Sequence, residues 1–150
     1  MNPKEIATGV SIGGQPTAED IEELKAKGYK TIVNVRTPQD DGYLAEEERL
    51  VENAGLGYAE IAISPSLIDD LATQRFSNAL DAEGSAPVYV HCGSGGRAGL
   101  MVLLHLAIEN GWTVQRALEE GQARGIAPSE TSPYRTFFEA YIRRHSAGER

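Results

Sequence analysis

Short runs of β-branched and apolar residues alternate along the chain with segments in which apolar residues recur every three or four positions. Four runs are typical of strands, which we predict at Ala7–Gly13, Lys30–Val35, Gly57–Ile63 and Pro87–His91. Helices are predicted from a Thr17 cap to Gly28, over Tyr43–Ala54, from a Ser66 cap to about Leu80, and over Arg97–Asn110, Val114–Arg124 and Pro133–His145. A chain of 150 residues is about the length of one domain, so we predict one domain over residues 1–150. Because alternation of strands and helices is typical of βαβ crossovers, the predicted fold class is α/β, with three layers (α/β/α) and a central, mostly parallel sheet of four to five strands.

Composition narrows the class of protein. Hydrophobic residues make up 41% of the chain and charged residues 24%, which is ordinary for a globular protein. A net charge of −8 argues against nucleic-acid or membrane partners. The single cysteine, Cys92, excludes an intramolecular disulfide and a cysteine-based zinc cluster. No apolar run resembles a signal peptide or membrane span, so we expect a cytoplasmic protein.

The segment after the fourth predicted strand carries the clearest chemical signal. That strand runs into Cys92, a helix begins near Arg97, and between them lie four small residues, Gly93, Ser94, Gly95 and Gly96. Glycines let successive backbone N–H groups turn towards one point, and the helix N-terminus adds positive potential there. Arg97 adds a planar, two-pronged donor suited to phosphate oxygens. The sequence therefore predicts an anion-binding loop.

The same surroundings act on the cysteine. A helix N-terminus beside an arginine favours the thiolate form of a cysteine, which is its nucleophilic form. A thiolate facing an oxyanion cradle suits covalent transfer of a phosphoryl group or of sulfur. We therefore predict that Cys92 is a nucleophile and that Arg97 binds the anion beside it.

These residues also carry a family resemblance. His91-Cys92-x-x-x-x-Arg97 resembles the phosphate-binding loop of the cysteine-dependent tyrosine and dual-specificity phosphatases. With Gly14-Gln15-Pro16 and Thr31–Arg36, it resembles a bacterial family of tyrosine-phosphatase-like domains, some of them fused to metallo-β-lactamase-type hydrolases. The resemblance implies a phosphatase of phosphotyrosine-like monoesters, in proteins or small molecules, and we expect no cofactor and no metal. It implies a phosphocysteine on Cys92, with the phosphate held by Arg97 and the amides of residues 93–96.

Two features keep other functions open. Four residues separate Cys92 from Arg97, whereas the usual phosphatase loop has five and rhodanese-type sulfurtransferases have four. The next residue is Ala98, where most phosphatases carry Ser or Thr. A sulfurtransferase working through a Cys92 persulfide is therefore one alternative, and a non-catalytic module that binds phosphate or phosphoproteins is another.

A phosphatase also needs a proton donor for its leaving group. In the superfamily that donor is an aspartate on the loop after the strand that is here Gly57–Ile63, yet no aspartate follows this strand directly. We predict Asp69, the nearest candidate, although a helix dipole also favours acidic residues in a first turn. Asp70 is the next candidate, and Asp40 and Asp41 are rivals after the second strand.

Neighbouring polar residues receive structural roles. His91 precedes Cys92 on a strand, so its side chain points to the opposite face, where it would support the loop backbone. Arg36 ends the second strand and could bind an anion or form an ion pair. Glu46, Glu47 and Glu48 are predicted to be a solvated helix face.

Overall fold

The computed structural model describes residues 1–150. The five strands are β1 (Lys4–Ala7), β2 (Val10–Gly13), β3 (Thr31–Asn34), β4 (Gly57–Glu60) and β5 (Val88–His91). The helices are α1 (Ala18–Ala26), α2 (Glu47–Asn53), α3 (Asp70–Asp81), α4 (Gly96–Asn110), α5 (Val114–Arg124) and α6 (Arg135–His145), with a 3₁₀ turn at Ala147–Glu149. No helix combines the length and apolar character needed to cross a bilayer.

The strands form one sheet in the order β1-β2-β5-β3-β4. All neighbours run parallel except β1 and β2, which are antiparallel. Side chains alternate between the faces of a strand: Ile32 and Tyr89 pack with α1 and α2, whereas Val33 and Val90 pack in a larger core with α3 to α6. The predicted three-layer α/β/α class with a mostly parallel sheet is therefore confirmed.

The N-terminal strand prediction was wrong in one respect. The segment 7–13 is not one strand, because the chain reverses at Thr8-Gly9 and pairs β1 with β2. Gly9 has a φ of 79°, a left-handed conformation that glycine adopts at little cost. The hairpin leaves β2 beside β5, so that both strands end at the same edge of the sheet.

Three predicted helix starts were also wrong. Helix α2 begins at Glu47 rather than Tyr43, and α6 begins at Arg135 rather than Pro133. Helix α3 begins at Asp70, because Asp69 and not Ser66 is its N-cap: the Asp69 carboxylate accepts a hydrogen bond from the Ala72 N–H at 2.7 Å.

The carboxyl ends of the parallel strands β3, β4 and β5 lie side by side. In open α/β sheets, this edge is where ligands bind. The loops that leave it carry the predicted site residues, namely the segment after β3 with Asp40, the segment after β4 with Asp69, and the segment after β5 with Cys92.

Candidate active site

The loop between β5 and α4 is built around its cysteine. The Cys92 side chain is buried at the base, and its Sγ accepts a hydrogen bond from the Gly95 N–H at 3.0 Å. Gly95 reaches this position with a φ of 99°, which a residue with a Cβ rarely adopts. The predicted glycine turn is therefore required here by backbone geometry. Ala98 is fully buried, and no hydroxyl donates to the sulfur.

The backbone of this loop presents several amides without protein partners. The N–H groups of Gly93 and Ser94 have no acceptor in the protein, nor do those of Gly96 and Arg97 in the first turn of α4. Free amides at the N-terminus of a 15-residue helix form a site for an anion. The structure thus gathers all the predicted phosphate-binding residues around Cys92.

Arg97 is held in one orientation over the loop. Its Nη1 donates to the Ile63 carbonyl oxygen at 2.9 Å, and both terminal nitrogens contact the carboxylate of Asp40. These bonds leave the Nε–H and the second Nη2–H without an acceptor in the protein, and both lie on one edge of the planar guanidinium group. That edge is a complete two-pronged donor for a phosphate.

Asp40 serves as the anchor of this arginine. Besides Arg97, its carboxylate accepts from the Thr37 hydroxyl at 2.8 Å and from Arg36 Nε at 3.2 Å. The Arg97 hydrogen bond, reinforced by those from Thr37 and Arg36, holds the pKa of Asp40 well below its usual range, although burial acts in the opposite direction. Asp40 is therefore a carboxylate that orients Arg97, and it is poorly suited to give up a proton.

Arg36 forms ion pairs and hydrogen bonds rather than an open anion site. Its side chain is 6% exposed and contacts Asp40, while Nη1 donates to Gln15 Oε1 at 2.8 Å and to the Gly42 carbonyl at 3.1 Å. Of the two roles left open by the sequence, the structure supports the ion pair. Arg36 thereby shapes the loop that carries Asp40.

His91 and Glu47 form a buried pair on the opposite face of β5. His91 points away from the core that contains Cys92, as predicted, and its Nδ1 lies 3.4 Å from the Cys92 carbonyl oxygen. Its Nε2 lies 2.5 Å from Glu47 Oε2. The prediction that Glu47 is solvated was wrong, since this residue is 0% exposed; Glu46 and Glu48 are exposed as predicted.

The other candidate aspartates make no hydrogen bond or ion pair with Arg97. Asp69 Oδ1 is occupied in capping α3, whereas Oδ2 has no protein partner. Asp70 pairs with Arg144 and His145 on the last helix. Asp41 contributes only its backbone carbonyl, to Arg36. Of the four candidate aspartates, the structure brings Asp40 alone into contact with Arg97.

A cavity of about 900 Å³ opens beside the loop. The residues 94–97 form one wall, and the segment between α5 and α6 forms the other, with Ile126 and Tyr134 among its side chains. Lys4 also lines it, and no acidic residue does, although the chain carries a net charge of −8. Lys4 and Tyr134 could not be predicted from the sequence, because nothing in their local pattern connects them to a loop some 40 to 90 residues away.

Together, the sheet order, the cysteine at the base of a glycine loop and the fixed arginine define a phosphatase-like α/β domain of the cysteine-based class. The family model described as "DSP-PTPase phosphatase fused to NAD+ Kinase" matches residues 1–136. The chain belongs to this family.

Individual relatives agree with this assignment. The chain is 31% identical to the "Beta-lactamase hydrolase-like protein" of Agrobacterium fabrum over 113 residues, 73% of this chain and 26% of that protein. It thus spans between about a quarter and a third of its first curated relatives. A DUF442 protein from Shewanella putrefaciens superposes with a TM-score of 0.78 at 18% identity, covering 96% of this chain and 93% of the other. Pseudomonas aeruginosa TpbA in complex with phosphotyrosine superposes with a TM-score of 0.67 at 24% identity, covering 95% of this chain and 83% of the other. At these identities the two structures show the fold.

Proposed function

We propose that this domain hydrolyses phosphomonoesters, with phosphotyrosine-like aryl phosphates as its substrates. The observation that carries the proposal is the position of the Cys92 sulfur beneath a loop of unpartnered amides, with one two-pronged edge of Arg97 unused by the protein. Such a cradle matches the equatorial oxygens of a phosphoryl group in transfer.

The reaction proceeds in two displacements. The Cys92 thiolate attacks phosphorus, so that an S–P bond forms while the ester P–O bond breaks and the leaving oxygen takes a proton. Water then attacks the phosphocysteine, the S–P bond breaks, and inorganic phosphate leaves with the thiolate regenerated. In both steps the amides and Arg97 hold the phosphoryl oxygens.

The surroundings of the loop support a substrate that is bulky and anionic. The adjoining cavity of about 900 Å³ has room for an aromatic group, and Lys4 and Arg97 are its only charged side chains. TpbA, a similar fold, has been solved with phosphotyrosine bound. An aryl phosphate would place its ring against this cavity.

For the proton donor we propose Asp69, whose Oδ2 makes no hydrogen bond within the protein. A nitrophenolate leaves without help, whereas an alkoxide needs a proton. Asp69→Asn should therefore slow the hydrolysis of an alkyl phosphate about tenfold or more, while the hydrolysis of p-nitrophenyl phosphate stays unchanged. Glu83→Gln is the matched control for this variant, because Glu83 is an exposed acidic residue just after α3. If Asp69→Asn and Glu83→Gln hydrolyse the alkyl phosphate at equal rates, Asp69 is not the proton donor.

The proposed function is tested on the wild-type domain by two assays run together. Hydrolysis of p-nitrophenyl phosphate is followed by the absorbance of the nitrophenolate that is released. Alkylation of the single thiol by iodoacetamide is followed by mass spectrometry, with and without inorganic phosphate. We expect turnover, and slower alkylation when phosphate occupies the loop.

The remaining outcomes separate the alternatives. Protection by phosphate without turnover of any phosphomonoester would indicate a binding module. Thiosulfate:cyanide transfer, with the mass of Cys92 raised by one sulfur atom, would indicate a sulfurtransferase. The absence of both phosphate protection and turnover would overturn the proposed anion site.

A further inference from the structure

A cluster of potential metal ligands lies where helices α3 and α4 end. Asp81 is the last residue of α3, while His105 and Glu109 lie about one turn apart near the end of α4. The three residues offer one ligand atom each, and these atoms all lie within 4.8 Å of one another. The cluster is separate from the Cys92 loop, because His105 follows Arg97 at a distance of about 12 Å along α4.

His105 is oriented towards the other two members of the cluster. Its side chain is only 8% exposed, and its Nδ1 lies 3.0 Å from the hydroxyl oxygen of Ser77, one turn before Asp81 on α3. A hydroxyl oxygen can accept the Nδ1–H, which leaves the lone pair of Nε2 facing the carboxylates of Asp81 and Glu109. Histidines that bind metals almost always give their other ring N–H to an oxygen acceptor. Ser77 is placed to hold the ring as a metal ligand requires.

The distances around His105 Nε2 fit a metal ion better than they fit hydrogen bonds. Glu109 Oε2 lies 3.3 Å from Nε2, and Asp81 Oδ1 lies 3.6 Å from it. Both distances exceed about 3.2 Å, where the usual range of N–H···O bonds ends. A tetrahedral zinc ion about 2.1 Å from each ligand separates neighbouring ligand atoms by about 3.4 Å. The buried nitrogen thus lies at the spacing of metal ligands from two carboxylates.

The electrostatic potential at the two helix ends favours a cation. The C-terminal end of a helix carries a partial negative charge, so a carboxylate there is unfavourable unless a positive group offsets it. Asp81 and Glu109 lie in the last turns of α3 and α4, and neither last turn contains a basic residue. His105 is the only group within ion-pair distance of either carboxylate. A bound cation would offset both carboxylates and both helix ends.

We propose that Asp81, His105 and Glu109 bind a divalent cation of the zinc class, through Nε2 and one oxygen of each carboxylate. An imidazole nitrogen beside carboxylates suits zinc and similar transition-metal ions, whereas Mg²⁺ and Ca²⁺ prefer oxygen ligands throughout. The ion joins the ends of the two helices that begin beside Asp69 and at the Cys92 loop, so its role is structural. The proposal departs from the expectation of no metal, because these helix ends meet only in the folded chain.

Binding is tested by calorimetry with zinc chloride on Cys92→Ser, a background in which the thiol cannot bind the ion. We expect one zinc ion per chain. The midpoint of thermal unfolding should rise by about 5 °C or more at a zinc concentration about a hundredfold above Kd. Cobalt(II) in the same site should give the visible absorption of an ion with nitrogen and oxygen ligands. The absence of zinc binding would overturn the proposal.

Glu109→Gln in this background is the discriminating variant, because its exposed side chain keeps its size and loses its charge. We expect the affinity for zinc to fall at least about tenfold. Glu119→Gln is the matched control, since it makes the same change at an exposed glutamate of α5. Equal zinc affinities of the two variants would contradict the proposed site.

The other exposed histidine provides a second control. His145 lies 2.7 Å from Asp70, a carboxylate that also pairs with Arg144. His145→Gln should leave the zinc affinity within about twofold, whereas His105→Gln should lower it at least about tenfold. Loss of binding in His145→Gln alone would assign the ion to Asp70 and overturn the proposal. None of these measurements needs turnover, so they do not depend on the proposed function.

Discussion

Cys92→Ser should reduce hydrolysis of p-nitrophenyl phosphate to the background rate, a loss of at least about 10³-fold, while phosphate binding persists. A serine hydroxyl can accept the Gly95 N–H that now bonds the sulfur, so the loop keeps its shape. The alcohol is almost wholly protonated at neutral pH, however, and gives a far poorer nucleophile than a thiolate.

Binding and turnover must be measured on the same preparation of Cys92→Ser. Calorimetry with inorganic phosphate reports the cradle, and circular dichroism reports the fold. Turnover retained in this variant would show that another residue is the nucleophile. Loss of binding together with turnover would show that the sulfur supports the loop rather than attacking the substrate.

Arg97→Lys should lower kcat/KM for the same substrate by about 10² to 10³, which corresponds to about 3 to 4 kcal/mol of transition-state stabilisation. Lysine keeps the positive charge but has no planar fork, so it cannot bind Asp40 and a phosphate on two separate edges. The expected loss therefore reflects geometry more than charge.

Arg143→Lys is the control for this change, because its side chain is 59% exposed on α6 and pairs only with Glu139. It should leave kcat/KM within about twofold. Asp40→Asn extends the test: if Asp40 acts by orienting Arg97, it should lower activity in the wild type and add little in Arg97→Lys. Additive effects of the two changes would contradict an orienting role for Asp40.

The cysteine loop could be identified from the sequence because its parts are contiguous. Cys92, the glycines and Arg97 lie within one short segment between a strand and a helix, and Gly95 must be a glycine at a φ of 99°. The parallel sheet could be predicted for a similar reason, since the alternation of strands and helices is recorded in local periodicity. The hairpin of β1 and β2 escaped prediction because its reversal occupies only Thr8 and Gly9.

Glu47 shows where a local pattern misleads, and Asp69 shows where a local pattern leaves the role of a residue undecided. An acidic residue near the start of a helix looks the same in the sequence whether it caps the helix or faces a substrate. The carboxylate of Asp69 does cap α3. Glu47 stands between two exposed glutamates, and its burial depends on His91 and Gln15, which come from distant segments.

The sequence alone determined the α/β architecture and the glycine-rich loop with its single cysteine, because strand periodicity and glycine conformation are properties of short stretches of chain. Only the tertiary structure decided what surrounds that loop. Asp40, Arg36, Gln15 and Glu47 converge because parallel strands place their carboxyl ends at one edge, and the cavity wall comes from the segment between α5 and α6. A buried polar group must form a hydrogen bond with a partner, but that partner can lie far away along the chain, where local sequence patterns do not reveal it.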